Sequence, residues 1–107
     1  MRLKDYELAD SAWKRMRGLM FRKKIGKPLL FIFPHPSISE SSIHAFFVFF
    51  PFDAIYLDEK KRAVDVRESI KPFTPLVFPK KPAKYLIEAP AGWARKNRVK
   101  PGVAISF

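Results

Sequence analysis

Apolar and polar positions fall into short runs along the chain. Ala12, Trp13, Met16, Leu19 and Met20 recur at intervals of three and four, the spacing of one helix face, with Lys14, Arg15, Arg17 and Arg22 on the other side. Asp10 or Ser11 caps the start, Lys23 and Lys24 suit the negative end of the dipole, and Gly26 and Pro28 stop the run. This predicts one N-terminal amphipathic helix over 11–22, after a short strand over 2–8. Leu29 to Phe33 is an apolar run closed by Pro34 and Pro36, which predicts a buried strand and a rigid loop.

Ser42 to Phe50 is apolar at both parities: Phe46, Val48 and Phe50 on one side, Phe47 and Phe49 on the other. Such a run predicts a strand covered on both faces, hence a central one. Phe52 to Leu57 resumes after Pro51, and Asp58-Glu59-Lys60-Lys61 turns the chain into Ala63 to Val66 without needing glycine. Pro72, Pro75, Pro79 and Pro82 cut the next stretch into extended pieces. Tyr85 to Ala89 and Val103 to Phe107 complete the strands, with a turn or short helix over 91–97. Several short strands and one clear helix predict a mainly β domain, a small β-barrel or sandwich carrying the amphipathic helix.

Composition narrows the setting. At 107 residues with 48% apolar and 15% aromatic side chains, the chain suits one folded domain, 1–107. Without cysteine there is no disulfide framework and no thiol nucleophile. The first residues lack a signal-peptide core, and the longest apolar run, 45–52, is far short of the roughly 20 residues a spanning helix needs. The expected setting is the cytoplasm, with no membrane partner. The chain has no glutamine, one asparagine and one threonine, but 21 Lys and Arg, a balance that points to a thermophilic source.

Charge is unevenly spread. Against a net +11, positions 28–59 hold no Lys or Arg at all, whereas 1–27 hold nine against three acids. Basic residues sit beside tryptophans at Trp13 with Arg15 and Arg17, and at Trp93 with Arg95 and Lys96. These four cations form the candidate nucleic-acid surface. RNP, KH and zinc-knuckle signatures are absent, so nucleic-acid (RNA) binding stands as the alternative reading.

In the neutral centre, His44, Asp53 and the Ser41 and Ser42 hydroxyls contain the residue types of a nucleophile, base and orienting acid. No glycine flanks either serine, so a nucleophile elbow is not indicated, and His44 reads first as a local hydrogen-bonding residue. Asp53 shares a strand parity with Ile55 and Leu57 and must be paired, hydrogen-bonded or protonated. Its plainer role is to accept backbone N–H groups at the Pro51 break. Glu88, alternating with Leu86, poses the same question. If the two carboxyls met, they could share a proton or, with His44, hold a transition metal. No metal site and no cofactor follow from the sequence alone.

Gly18-Leu-Met-Phe-Arg22, Ser42-Ile-His-Ala-Phe-Phe-Val-Phe-Phe-Pro-Phe-Asp53, Tyr56-Leu-Asp58 and Leu86-Ile-Glu-Ala-Pro-Ala-Gly92 resemble, in this order, the motifs of domain of unknown function family 192, also known as uncharacterised protein family 0127. The resemblance implies a compact, predominantly β fold and no established activity. Many members carry a Trp-Met-Lys-Asn-Thr run where this chain has histidine and paired phenylalanines, and many bacterial members look exported. The combined expectation is a non-enzymatic ligand- or partner-binding module, monomeric or weakly dimeric. Its aromatic cleft would lie around residues 44–53 and use His44, Phe47, Phe49, Asp53 and Glu88. A small hydrolase or metal-dependent enzyme at His44, Asp53 and Glu88 is the further alternative.

Overall fold

A computed structural model describes residues 1–107, except for the side chains of Ala12, Trp13 and Met16. Five strands form one sheet: β1 (Glu7–Ala9), β2 (Leu29–Ser37), β3 (Phe52–Leu57), β4 (Ala63–Ile70) and β5 (Ala83–Pro90), in the order β1-β2-β5-β3-β4. β1 runs parallel to β2, and the remaining neighbours are antiparallel. The sheet is open. The expected barrel or sandwich needed more strands than form, because Ser42–Phe50 and Val103–Phe107 supply isolated bridges only: Ile43 to Val77, Ala104 to Arg62 and Ser106 to Arg2.

The sheet is buried on both faces. Leu29, Phe31 and Phe33 of β2, Leu86 of β5, and Ala54 and Tyr56 of β3 point to the first face, where Leu19, Ala45, Val48 and Val77 cover them. Leu30, Ile87, Ile55 and Leu57 point to the second, under Leu3, Ala94, Val99 and Ile105. Two-sided burial explains why β3 is buried at all six positions. The central strand is therefore β5, flanked by β2 and β3, and not the Ala45–Phe50 run.

That run fails as a strand for a local reason. Phe47 has φ +58°, and the Val48 N–H donates to the Ala45 oxygen at 3.2 Å, so the chain turns there. Burial then follows a spacing of three: Ala45 and Val48 face the core, while Phe46, Phe47 and Phe49 are exposed. The β3–β4 turn forms without glycine as expected. Asp58 Oδ1 accepts the N–H groups of Lys60 and Arg62 at 2.9 and 3.0 Å, and Lys61 takes φ +62°. β2 runs on through Pro34 and Pro36, with an irregular register between Ile32 and Ser37 where those prolines sit.

Two short helices complete the chain. α1 (Ala12–Arg17) starts where Ser11 Oγ accepts the Lys14 N–H at 3.2 Å, and it ends at Gly18, five residues short of the expected span. The apolar stripe proposed for it rests largely on Ala12, Trp13 and Met16, whose side chains lie outside the described residues. α2 (Trp93–Lys96) follows β5 and packs over the second face through Ala94. Among the described residues no helix is long and apolar enough to cross a membrane.

Ile87, fully buried at the middle of β5, reports on this arrangement. Ile87→Ala should cost about 2–5 kcal/mol, read as a lower denaturation midpoint with an unchanged slope.

Candidate functional site

Antiparallel pairing of β3 with β5 sets Asp53 opposite Ala89 and Ala54 opposite Glu88. Side chains alternate across a sheet, so Glu88 shares the first face with Ala54 while Asp53 points to the second. The two carboxyls that sequence reasoning had brought together are separated by the sheet itself.

Asp53 is fully buried and fully used. Its Oδ1 accepts the Ser69 N–H at 2.8 Å, and its Oδ2 accepts the N–H groups of Gly92 and Ala94 at 3.1 and 2.9 Å. It thereby ties β3 to β4, where Ser69 has φ +51°, and to the start of α2. This is the plainer role considered for it, although the partners lie in β4 and at the β5–α2 corner instead of at Pro51.

Glu88 is 5% exposed, and its Oε1 has no hydrogen-bond partner among the described residues. Burial pushes its carboxyl up from 4.5 to about 8, and Arg22 offsets this only in part. The Arg22 guanidinium is already engaged, donating from Nη1 to Glu7 Oε2 at 2.6 Å and from Nε to the Gly18 oxygen at 3.1 Å. Tyr56, buried on the same face, has its hydroxyl raised by desolvation and then by Glu88.

A cavity of about 240 Å³ opens beside Glu88. Phe31, Phe33 and Leu86 form its floor, and the turn after α1 supplies Gly18, Leu19 and Met20. Ser42, Ile43, His44 and Val48 close the far side, with Arg15, Arg17 and Glu40 bordering it. Gly18 has φ +46°, a conformation that strains residues with a side chain, and it lies against the site: a Cβ there would sit 3.3 Å from Phe31 Cζ and 3.4 Å from Glu88 Oε1. His44 Nδ1 accepts the Phe46 N–H at 3.2 Å, which makes Nε2 the donor nitrogen.

The structure thus brings His44 and Glu88 to one cavity and leaves out Phe47, Phe49 and Asp53. Phe47 and Phe49 are exposed, stacked on Phe21 and edge-on to Phe73 respectively. The serine hydroxyls are tied down locally: Ser42 Oγ donates to the Ser39 oxygen at 2.6 Å, and Ser41 Oγ to the Ser37 oxygen. The basic candidates are divided as well. Arg15, which donates to the Ile32 and Asp10 oxygens, and Arg17 border the first-face cavity, whereas Arg95 and Lys96 lie on α2 over the second face. Arg95 pairs with Glu68 at 3.5 Å. Among the described residues no three His, Asp or Glu side chains gather as metal ligands.

Gly18 and Arg22 were not singled out as site residues. The signal for Gly18 was its position inside an otherwise helical apolar period, where glycine more often ends a helix than continues one.

Residues 2–107 match the model of the family DUF192, described as "Uncharacterized ACR, COG1430". The chain belongs to this family. The UPF0127 protein of Thermococcus kodakarensis is 41% identical over 101 residues, covering 94% of this chain and 63% of that protein. The UPF0127 protein of Pyrococcus abyssi is also 41% identical over 101 residues, with 94% and 84% covered. The chain spans under two-thirds of the length of its similar proteins from Thermococcus kodakarensis and T. gammatolerans. These relatives come from heat-loving archaea, the setting the amide-poor composition suggested. A crystal structure of a protein of unknown function from Novosphingobium aromaticivorans shares the fold, with TM-score 0.83 and 23% identity over 91% of this chain and 70% of that one. A Sinorhizobium meliloti crystal structure gives the same score and identity, with 91% and 76% covered.

Three of the four motif stretches that carried the DUF192 resemblance converge on the cavity: 18–22 through Gly18, Leu19 and Met20, 42–53 through Ser42, His44 and Val48, and 86–92 through Leu86 and Glu88.

The two carboxyls should respond differently to amidation. Asp53→Asn leaves one acceptor oxygen for three N–H donors and should cost about 2–3 kcal/mol, seen as a lower melting temperature. For Glu88, whose folded-state pKa is raised, the folded chain holds a proton that the unfolded chain releases between 4.5 and about 8. Its contribution to stability is therefore full at low pH, is lost as pH rises through that window and is flat above it. Glu88→Gln should remove this component, on the order of a few kcal/mol, when denaturation midpoints of the two proteins are compared from pH 5 to 9.

Proposed function

We propose that this DUF192 chain is a non-enzymatic binding module whose ligand is a small molecule held in the Glu88 cavity. One observation carries the reading: a carboxyl that is 5% exposed, with a partnerless oxygen, borders a cavity. A buried polar group without a partner is costly, and folding alone would favour leucine at this position. Oε1 itself is covered, so a ligand group would pair with the other oxygen of the carboxyl and offset part of the cost of burying it. At neutral pH the raised carboxyl is predominantly protonated and serves as an O–H donor, so the matching ligand group is an acceptor oxygen, a carbonyl or carboxylate. Arg15 and Arg17 on the border favour a neutral or anionic ligand over a cation. A cavity of about 240 Å³ equals roughly eight waters at liquid volume, the size of a metabolite fragment.

Binding is favoured over catalysis by what surrounds His44. Its neighbouring serine hydroxyls are committed to the 37–42 turn, and Asp53, the acid considered as its orienting partner, is on the opposite face of the sheet. The cleft differs from the aromatic one first envisaged: its walls use His44 and Val48 from the 44–53 segment, and most of that segment's phenylalanines point away.

Glu88→Leu separates a binding role from a structural one. The variant should fold with unchanged or raised stability, by up to about 1–3 kcal/mol. In the intact protein, small carbonyl- and carboxylate-bearing fragments should shift the amide NMR signals of Gly18, Ser42 and His44. Those shifts should vanish in the variant. A destabilised Glu88→Leu, or unchanged fragment shifts in it, would refute the assignment.

A further inference from the structure

Beyond the cavity, the surface beside it presents aromatic rings to solvent. Phe21 is 61% exposed, Phe49 56%, Phe73 48% and Phe47 47%. Three of these four residues also sit at positive φ: Phe21 at +63°, Phe47 at +58° and Phe73 at +62°. A residue with a Cβ enters that region at a cost, and for a buried ring, packing can offset it. These rings pack in pairs on one another and still leave about half of their surface in solvent. Strained backbone that presents apolar rings outward is a feature whose return lies outside the chain.

The three segments that carry the rings are laced together. The Phe21 N–H donates to the Phe47 oxygen at 2.8 Å and the Phe73 N–H to the Ala45 oxygen at 2.8 Å, while the Ala45 N–H donates to the Thr74 oxygen at 2.7 Å. Phe21 and Phe47 stack at 5.0 Å and 20°, and Phe49 meets Phe73 edge-on at 5.5 Å. The rings are therefore pre-positioned on linked loops.

Charge identifies the occupant. Lys23 and Lys24 follow shortly after Phe21, and Lys71 lies two residues before Phe73. No Asp or Glu occurs in 41–52 or 69–87, in a chain of net charge +11. Such a surface repels a second copy of itself and attracts a polyanion. A polyanion with a flat ring attached to each charged unit uses both features at once: phosphates meet the lysines and bases stack on the phenylalanines. We infer that the Phe21, Phe47, Phe49 and Phe73 surface is a stacking platform for single-stranded nucleic acid. It is distinct from the tryptophan-associated pairs considered from the sequence, of which Arg95 and Lys96 lie over the other face of the sheet. A duplex, whose bases are already stacked internally, fits it poorly.

Fluorescence anisotropy on the intact chain tests this, using a labelled single-stranded RNA of about twelve nucleotides at about 150 mM salt. An abasic strand with the same number of phosphates should bind about tenfold more weakly or worse. Phe47→Gly removes a ring and relaxes a positive φ, so folding should be retained or improved. It should weaken the RNA about fivefold or more while leaving the abasic strand unchanged. Lys23→Gln should weaken both strands alike. Three results would each overturn the inference: equal affinity for natural and abasic strands, no effect of Phe47→Gly, or a duplex or a poly-glutamate of equal charge bound as tightly as the RNA.

Discussion

The register between β3 and β5 decides the fate of the Asp53 and Glu88 carboxyls. With Ala54 opposite Glu88, strand alternation sends Asp53 to one face and Glu88 to the other, and each must be accommodated by what lies over its own face. On the second face, the β4 end and the β5–α2 corner supply three N–H groups to Asp53. The first-face neighbours of Glu88 are apolar, apart from the tyrosine beside it and an arginine already engaged by Glu7. A one-residue slip of β5 would turn Glu88 into the second core and displace the Gly92 and Ala94 N–H groups from Asp53. The register and the division of labour are therefore the same fact.

Much of the sheet was legible because strands buried on both faces show up as unbroken apolar runs. β3 falls at 52–57 as read, and β5 and β2 contain the predicted segments. The 42–50 run shows how that signal fails. Four phenylalanines in five positions look like a two-faced strand, but apolarity does not distinguish a ring that fills a core from one held in solvent. The deciding variable is the φ of Phe47, and phenylalanine at positive φ is a choice no propensity anticipates. Val103 to Phe107 failed differently, since its apolar residues do enter the second core but the segment threads between Met1 and the β3–β4 turn without a strand partner along its length.

At the site, residue chemistry was readable and proximity was not. His44 and Glu88 stood out as groups able to do acid–base or ligand chemistry, and they do share a cavity. Asp53 stood out for the same reason and belongs elsewhere, because a single sequence records the parity of each strand separately and not the register between strands. Gly18 illustrates the converse. The predicted 11–22 helix ran straight through it, whereas in space it lets the chain turn against Phe31 and Glu88.

Charge balance sharpens the case of Glu88. With 21 basic and 10 acidic side chains, cations outnumber partners roughly two to one, so a carboxyl left without a hydrogen bond at Oε1 is not explained by scarcity of donors. Arg22 is near enough to act on it, yet its guanidinium is held by Glu7 of β1 and the Gly18 carbonyl. Arg15 borders the same cavity, and its Nη1 is spent on the Asp10 and Ile32 carbonyls. Each guanidinium is thus fixed by contacts of its own, and the carboxyl stays unpaired inside a rigid frame. An unpaired carboxyl held in such a frame costs stability, and that cost is what the proposed binding role accounts for.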